Sequence, residues 1–532
     1  MLSFRLDAGD LRGKWGVDWR HTGDRLVAAQ SEIIPFANPM LQHLLILSPH
    51  TTCLIVRERG AGNAPKAAPA EIRINDADLH RVVSRYLRWP LQLTLLLVDH
   101  RTGSVRLFAG QGGNAPVYLL EKGDVLLGHW DPQHLIPEVR KIDIGSAARF
   151  LRDFDMPYGP QTFYPDLHVL TEESTLDWRP GRGLRAVPPK PHPQPRSAAL
   201  DPAADPVEIA LDILSSALAR SLPADVLVGT ELSGGLDSAL VSIIASRKQP
   251  GLQSFGLNLP GMPGQSERRD AVIARFGLKD HTRDLAMATP LFPGSPRWQG
   301  AGGAPWEETY DEAVGTLLAQ AADLGIRAML TGFGGDELCS LYPGEAPPPP
   351  HLAPLEPASE TPCMPDFLTP SAQQALDRHR PVVAPRAALD SSALETVAFG
   401  AAVYMRHGIW PVHPLCSREL VRFCAMLPWD WRVGRRIERE MLRALDCPDL
   451  LAGCRHVDSF LPALATGFRT GSFDRIQALF ADARIVRIGL VDQDRLQNGF
   501  AAWRNGGHDD AVLPYYSAAC LELSLQRAGL GT

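Results

Sequence analysis

The chain has 532 residues, 45% of them hydrophobic and 21% charged, which at roughly 100–200 residues per domain predicts two to four domains and excludes a peptide, a disulfide knot or a disordered polymer. Its 53 basic against 60 acidic residues leave a net charge of −7, so bulk charge gives no footprint for nucleic acid. The eight cysteines form no CxxC pair, and no histidine cluster stands at zinc-ligand spacing. The opening MLSFRLDAGDLRGKW has neither the basic start nor the apolar core of a signal peptide. The longest apolar stretches, such as LQLTLLLV (91–98), fall short of the roughly 18 residues that cross a bilayer. A reduced, cytoplasmic protein without a membrane span is expected.

In chain order, the first half alternates short apolar runs with turn residues: LLILSP, TTCLIVRE, LTLLLVDHRTGSVRLFAG and PVYLLEKGDVLLG. Such runs joined by HRTG and EKGD predict β-hairpins and a sheet-rich domain over residues 1–186. Proline then accumulates in VPPKPHPQPR, so residues 187–206 predict a linker. A second stretch, PGEAPPPPHLAPLEPASETP (343–362), predicts a surface excursion that borders a site. In the remainder, 207–532, VLVGTEL (226–232) and SFGLNL (254–259) predict buried strands, and 266–276 and 307–324 predict helices. Strands alternating with helices predict a parallel, doubly wound α/β sheet.

The most informative string is VLVGTELSGGLDSALVSIIAS (226–246), where a buried strand runs through Leu232, Ser233, Gly234, Gly235, Asp237 and Ser238 into a helix. Two residues without Cβ let backbone N–H groups close around an anion at a helix N-terminus. The serine hydroxyls add donors, and Asp237 can hold Mg²⁺ against phosphate oxygens. A serine-capped turn explains a bare SGG equally well; the full S-G-G-x-D-S string is far more specific, and no Walker G-K-[ST] follows it. A second buried strand ends in AMLTGFGGDEL (328–338), which offers Gly332, Phe333, Gly334, Asp336 and Glu337. Asp237 and Asp336 at the carboxyl ends of parallel strands share the crevice where such sheets bind ligands. Taken singly, each acid also reads as a helix cap or first-turn charge.

The S-G-G-x-D-S string resembles the pyrophosphate loop of ATP pyrophosphatases, in particular the synthetase domain of the asparagine synthetase family. SFGLNL resembles the strand that contacts adenine there, SERRDAVIARFGLKDHT (266–282) its D-E-x-x-x-A helix, AMLTGFGGDEL its L-T-G-x-G-x-D-E turn, and YMRHGIWPVHPLCSRELVRFCAMLP (404–428) its R-x-G-I…P-F-L-D-R-E-L-V segment. LLLVDHRTGSVRLFAGQGGNAPVYLLEKGDVLLGHW (95–130) resembles part of the family's glutaminase domain, with Gly112, Pro116 and Tyr118 in step. The resemblance implies an N-terminal glutaminase-like αββα sandwich of Ntn type and a C-terminal ATP-pyrophosphatase domain. It implies ATP and Mg²⁺ as cofactors, with Leu232, Ser233, Gly234, Gly235, Asp237, Ser238, Leu257, Gly332, Phe333 and Gly334 around the nucleotide. Asp237 and Asp336 are implied as the metal ligands, and Asp237, Asp336 and Glu337 as the catalytic acids.

A glutaminase of this type begins with cysteine, whereas this chain begins Met1-Leu2. That points to relatives with a degenerate N-terminal domain, the lasso peptide cyclases and the β-lactam synthetases, in which an amine of the substrate itself captures the activated carboxylate. Phe333 stands where β-lactam synthetases place a catalytic tyrosine, and a phenyl ring cannot take a proton. The expectation is therefore a lasso cyclase: adenylation of an Asp or Glu side chain of a precursor peptide, then attack by the peptide's N-terminal amine. A leader peptidase and a leader-recognition protein are the partners so implied. A small-molecule amide ligase and a non-catalytic scaffold stand as alternatives.

Val457 occupies the place of a phosphate-steadying lysine, with Arg455 or His456 as substitutes or as a solvated pair. Pro414, Leu415, Cys416 and Ser417 replace P-F-L-D. Glu395 reads as a helix-surface acid. Arg406 and His407 read as site or structural residues, and WEETY (306–310) as a substrate rim or a helix first turn.

Overall fold

The valine- and leucine-rich runs before residue 187 become strands whose side chains alternate between two buried layers. Leu45, Leu54, Val56 and Leu96 enter one apolar cluster. Their neighbours Leu44, Ile46, Ile55 and Leu95 enter another. The computed structural model describes residues 1–532 except 13–18, 23, 63–69, 155, 260, 354–365 and 532. Cys363 and the tail of the second proline-rich stretch, 354–362, lie outside the described residues. The seven described cysteines are free thiols.

One seven-stranded sheet has the order Leu167–Leu170, Val117–Lys122, Val125–His129, Leu2–Asp7, Ser31–Pro35, Arg25–Ala28, Arg20–Thr22. A second has the order Gly183–Val187, Thr175–Arg179, Ser104–Ala109, Leu93–Asp99, Thr51–Glu58, Leu41–Ser48, Ala70–Arg73. HRTG and EKGD turn the hairpins expected of them, with Asp99 opposite Ser104 and Lys122 opposite Val125. The sheets share the cluster containing Leu2, Phe4, Leu6, Leu96, Val98 and Trp178. Helix Asp76–Tyr86 covers the outside of the second sheet through Leu79, Val82 and Val83. Helix Ile144–Asp153 covers the outside of the first through Ala147, Phe150 and Leu151. The layering is helix, sheet, sheet, helix.

The third sheet is parallel, in the order Lys279–Asp284, Gln253–Asn258, Val228–Glu231, Ala328–Leu330, Trp410–Val412. The chain is thus a mixed α/β protein with several sheets. The strand order reverses at Val228–Glu231, so the crevice at the carboxyl ends of that strand and of Ala328–Leu330 is a topological switch point. Helices Gln265–Phe276 and Asp311–Asp323 fall close to the expected spans. The second begins four residues late because Glu307 is drawn into an ion cluster and the Glu308 carboxylate accepts from the Tyr310 N–H.

The proline-rich segment after residue 187 is tied to the second half. The His192 N–H donates to the Arg386 carbonyl, the Ala198 N–H to that of Met426, and Arg432 donates to the Ser197 hydroxyl. Polar bonds also fasten the sandwich to the parallel sheet. Asn38 donates to the carbonyls of Arg327 and Gly408, and Asn114 to that of Pro411. Asp131, fully buried, accepts two 2.8 Å bonds from Arg406, which also reaches Glu307 at 2.8 Å. Arg406 and Glu307 are therefore structural, while Tyr310 of WEETY packs on Phe460. Burial, opposed by the Arg406 charge, pushes Glu307 up to about 7. Asp131→Ala takes two hydrogen bonds from the buried Arg406 guanidinium, which keeps Glu307 and Asp311; the expected loss is about 2 kcal/mol of stability, measured by urea unfolding.

Candidate nucleotide site

The anion loop is shaped from behind. Helix Gln265–Phe276 presents three side chains that take consecutive loop carbonyls: Arg269 Nε donates to Leu232 O (2.7 Å), Gln265 Nε2 to Ser233 O (2.6 Å) and Arg268 Nε to Gly234 O (2.9 Å). All three side chains are buried. Of the N–H groups in the same peptide planes, those of Ser233 and Gly235 turn to the serine hydroxyls of the loop. Helix Leu236–Lys248 then starts at Gly235 without a side-chain cap, and its first N–H groups have no acceptor within the helix. This is the geometry that receives a phosphate.

The serine hydroxyls stiffen the loop. Ser238 Oγ accepts from the Ser233 N–H (3.1 Å) and lies 3.0 Å from Ser233 Oγ, which accepts from the Gly235 N–H (3.2 Å). Gly234 has φ +92°, and a Cβ on it would lie 2.9 Å from the Gln265 carbonyl oxygen. The second turn packs against the first: a Cβ on Gly335 would lie 2.0 Å from Asp237 Oδ1. Gly335→Ala must therefore displace that carboxylate, and ATP-dependent turnover is expected to fall at least about 10²-fold with the fold retained by circular dichroism.

Asp237 and Asp336 converge as expected, on a cation that the sequence reading does not single out. Arg435 binds Asp237 through Nη2, Asp336 through Nη1 (2.5 Å) and Glu438 through Nε (2.6 Å). Arg435 sits at φ +57°, at the start of helix Arg436–Ala444. Burial, opposed by the Arg435 charge, pushes Asp237 up to about 6 and Glu438 up to about 8. Three carboxylates thus share one guanidinium. Glu337, expected beside the two aspartates, instead accepts a 2.6 Å bond from the Ser392 hydroxyl.

Ser233, Gly234, Gly235, Asp237 and Asp336 line a cleft of about 310 Å³ with Arg268, Arg435, Arg439 and Arg455, a size suited to a small ligand. Arg439 donates to the carbonyls of Gly434, Ala452 and Cys454. Arg455 and His456 line the cleft beside the half-exposed Val457. Arg268 also pairs with Asp458 at 2.5 Å, tying this segment to the anion loop. The described part of the second proline-rich stretch borders the cleft: Leu352 lines it, and the Pro350 carbonyl accepts from Arg455. Leu259 and Phe460 form an apolar wall. Leu257, expected at the nucleotide, packs one layer away with Phe255 and Tyr404, its carbonyl held by Gln265.

Phe333 stacks on His413 at 5.5 Å, and Cys416 donates its thiol to the Phe333 carbonyl. His413 meets the Thr331 hydroxyl at 2.7 Å, and burial lowers it to about 3. Glu395 is no surface acid: it accepts from the Tyr158 N–H at 3.0 Å across the two halves. Among the described residues no group of three metal-ligating side chains occurs, and no helix is long and apolar enough to cross a membrane. Two convergent carboxylates do fit a Mg²⁺ ion that arrives on a triphosphate, because that ion takes one or two protein carboxylates and completes its shell with phosphates and water.

A glycine-rich loop and an acid pair thus stand at the switch point of a parallel sheet in a mixed α/β protein. Residues 210–398 match the family model described as asparagine synthase, a span that holds both glycine-rich turns. This match supports an asparagine synthetase-like family and, in general, an ATP-dependent ligase that forms amide bonds. No curated protein matches the sequence. In structure the chain is similar to the glutamine phosphoribosylpyrophosphate amidotransferase from B. subtilis complexed with ADP and GMP. The identity is 10% over 55% of this chain and 82% of that one, with a TM-score of 0.19, too low to carry any argument.

Proposed function

We propose that this protein is a cyclase that closes a macrolactam in a precursor peptide, as in lasso peptide biosynthesis, using ATP and Mg²⁺. The observation that carries the nucleotide chemistry is the loop whose carbonyls are bound by Gln265, Arg268 and Arg269 at the uncapped start of helix Leu236–Lys248, in one cleft with Asp237 and Asp336. A carboxylate oxygen of the peptide attacks the α-phosphorus, and the bond to the bridging oxygen breaks. The loop N–H groups, with Arg435, Arg439 and Arg455, receive the leaving pyrophosphate. Asp237 and Asp336 would hold Mg²⁺, which would supply neutralisation of phosphate charge. The peptide's own amine then attacks the acyl carbon and expels AMP, a step in which holding the amine near the adenylate supplies much of the rate.

The peptide as substrate rests on the resemblance to lasso cyclases and on Phe333, whose ring offers no proton acceptor for β-lactam chemistry. The Ntn-type assignment of the sandwich, the boundaries at 186 and 206, a cytoplasmic location, and a leader peptidase and leader-recognition protein as partners belong to the same reading. Intact-mass analysis of a leader-free core peptide incubated with the protein, ATP and Mg²⁺ tests it. Loss of one water with AMP release is expected; AMP release with the peptide unchanged rejects this substrate.

A further inference from the structure

One acid beside the anion loop takes no part in the steps above. Glu231 ends strand Val228–Glu231, two residues before Ser233. Thr230 turns to the Ser242 hydroxyl on helix Leu236–Lys248, at 2.9 Å, so strand alternation sends Glu231 to the opposite face. There the Tyr404 hydroxyl donates to Glu231 Oε1 at 2.5 Å. Tyr404 belongs to an apolar cluster with Leu259, Tyr310, Phe333 and Phe460, and Leu259 and Phe460 also wall the cleft. Glu231 is thus half-buried, two residues before the loop serine Ser233, and bonded to a tyrosine that packs in the same cluster as the cleft residues Leu259 and Phe460.

The titratable groups facing Glu231 are Tyr404, from helix Ser391–Arg406, and Glu308, from the loop before Asp311–Asp323. Phe255 stands opposite it in register on the next strand. Burial, opposed by the Tyr404 bond and aided by Glu308, raises the Glu231 carboxyl to about 7, in the range that suits proton transfer near neutral pH. Burial and Glu231 push the Tyr404 hydroxyl up, so it stays a donor.

We propose that Glu231, held by Tyr404, is the proton acceptor for the attacking amine in the second step. The inference rests on the adenylating reading above. The neutral amine bonds to the acyl carbon, and the carbon–oxygen bond to phosphate breaks with its electron pair leaving on AMP. Before that attack the ammonium form of the peptide's amine gives its first proton to the Glu231 carboxylate, which passes it to water, and the proton shed after attack leaves directly to water.

The test compares two nucleophiles on the same adenylated core peptide: its own amine, and hydroxylamine, which is already uncharged near neutral pH. Glu231→Gln is expected to lower the ratio of lactam to hydroxamate about 10²-fold and to replace the fall of lactam rate below pH 7 with one that follows the amine's own ionisation, at about pH 8. Glu231→Asp should restore part of both. Tyr404→Phe, which keeps the ring, should keep that acidic limb and move it to higher pH, because the carboxylate loses a donor. Equal loss of lactam and hydroxamate in Glu231→Gln, or an unchanged acidic limb, overturns the inference while leaving adenylation standing. Absence of AMP and pyrophosphate from the unmodified protein removes the reading of the reaction, and this inference with it.

Discussion

Asp237→Asn is expected to abolish exchange of pyrophosphate into ATP, by about 10³-fold or more, equivalent to roughly 4 kcal/mol of transition-state stabilisation, without lowering the melting temperature. The two halves of this expectation have one cause. Asp237 lies against the turn holding Asp336 and is largely removed from water. Burial raises its carboxyl to about 6 even with Arg435 in contact. A carboxyl raised above its unfolded value gives its full stabilisation below the unfolded value and loses it as pH rises through the folded one. At pH 7 the ionised Asp237 therefore costs the fold free energy, and an uncharged asparagine relieves that cost. The same carboxylate is needed when phosphate and cation arrive. Equal falls in stability and exchange would mark Asp237 as structural instead.

Arg435→Ala is expected to act in the opposite sense on stability. It leaves Asp237, Asp336 and Glu438 facing one another with no guanidinium between them. Glu438 is almost wholly buried. Removing the cation from such a cluster is expected to cost about 3 kcal/mol. The sign with pH follows from Asp237 and Glu438: without Arg435 their already raised values rise further, so the variant approaches the parent at pH 5, where these two are protonated, and falls away from it towards pH 8. Mg²⁺ added without nucleotide should raise the melting temperature of the variant more than that of the parent, because the ion binds the freed carboxylates of the folded state only. Thermal unfolding at pH 5 and pH 8, with and without Mg²⁺, measures both effects. A variant equally destabilised at both pH values and indifferent to Mg²⁺ would mean that Arg435 acts by packing alone.

Much of this site is written in local sequence. The run VLVGTEL ahead of SGGLDS, and AML ahead of TGFGGDE, bring buried strands, glycine-rich turns and acids within a few residues of each other, and the structure places both turns at adjacent strand ends. The hairpins are legible for a similar reason, since HRTG and EKGD follow directly on β-branched and leucine-rich runs. The supports of the loop are not legible. In SERRDAVIARF the sequence reading singles out Glu267 and Ala271, yet the residues that hold the loop are Gln265, Arg268 and Arg269. A polar helix reads as solvated, and what holds these arginines lies outside it: Asp458 and the Gly234 carbonyl for Arg268, Asp280 on the next strand and the Leu232 carbonyl for Arg269.

Arg435 is hidden in the same way. Arg435 lies 198 residues from Asp237 in the chain, and at left-handed backbone its guanidinium meets residues 237 and 336. Glu231 did leave a signal, a lone acid closing an otherwise uncharged strand run. Its partner Tyr404 lies 173 residues away, so the pairing needed the fold.

The products of ATP test the central claim most directly. With a substrate that supports turnover, phosphorus NMR of the reaction should show ATP converted to AMP and pyrophosphate in equal amounts, and Asp237→Asn should show neither. ADP and inorganic phosphate in their place would contradict adenylation at this loop.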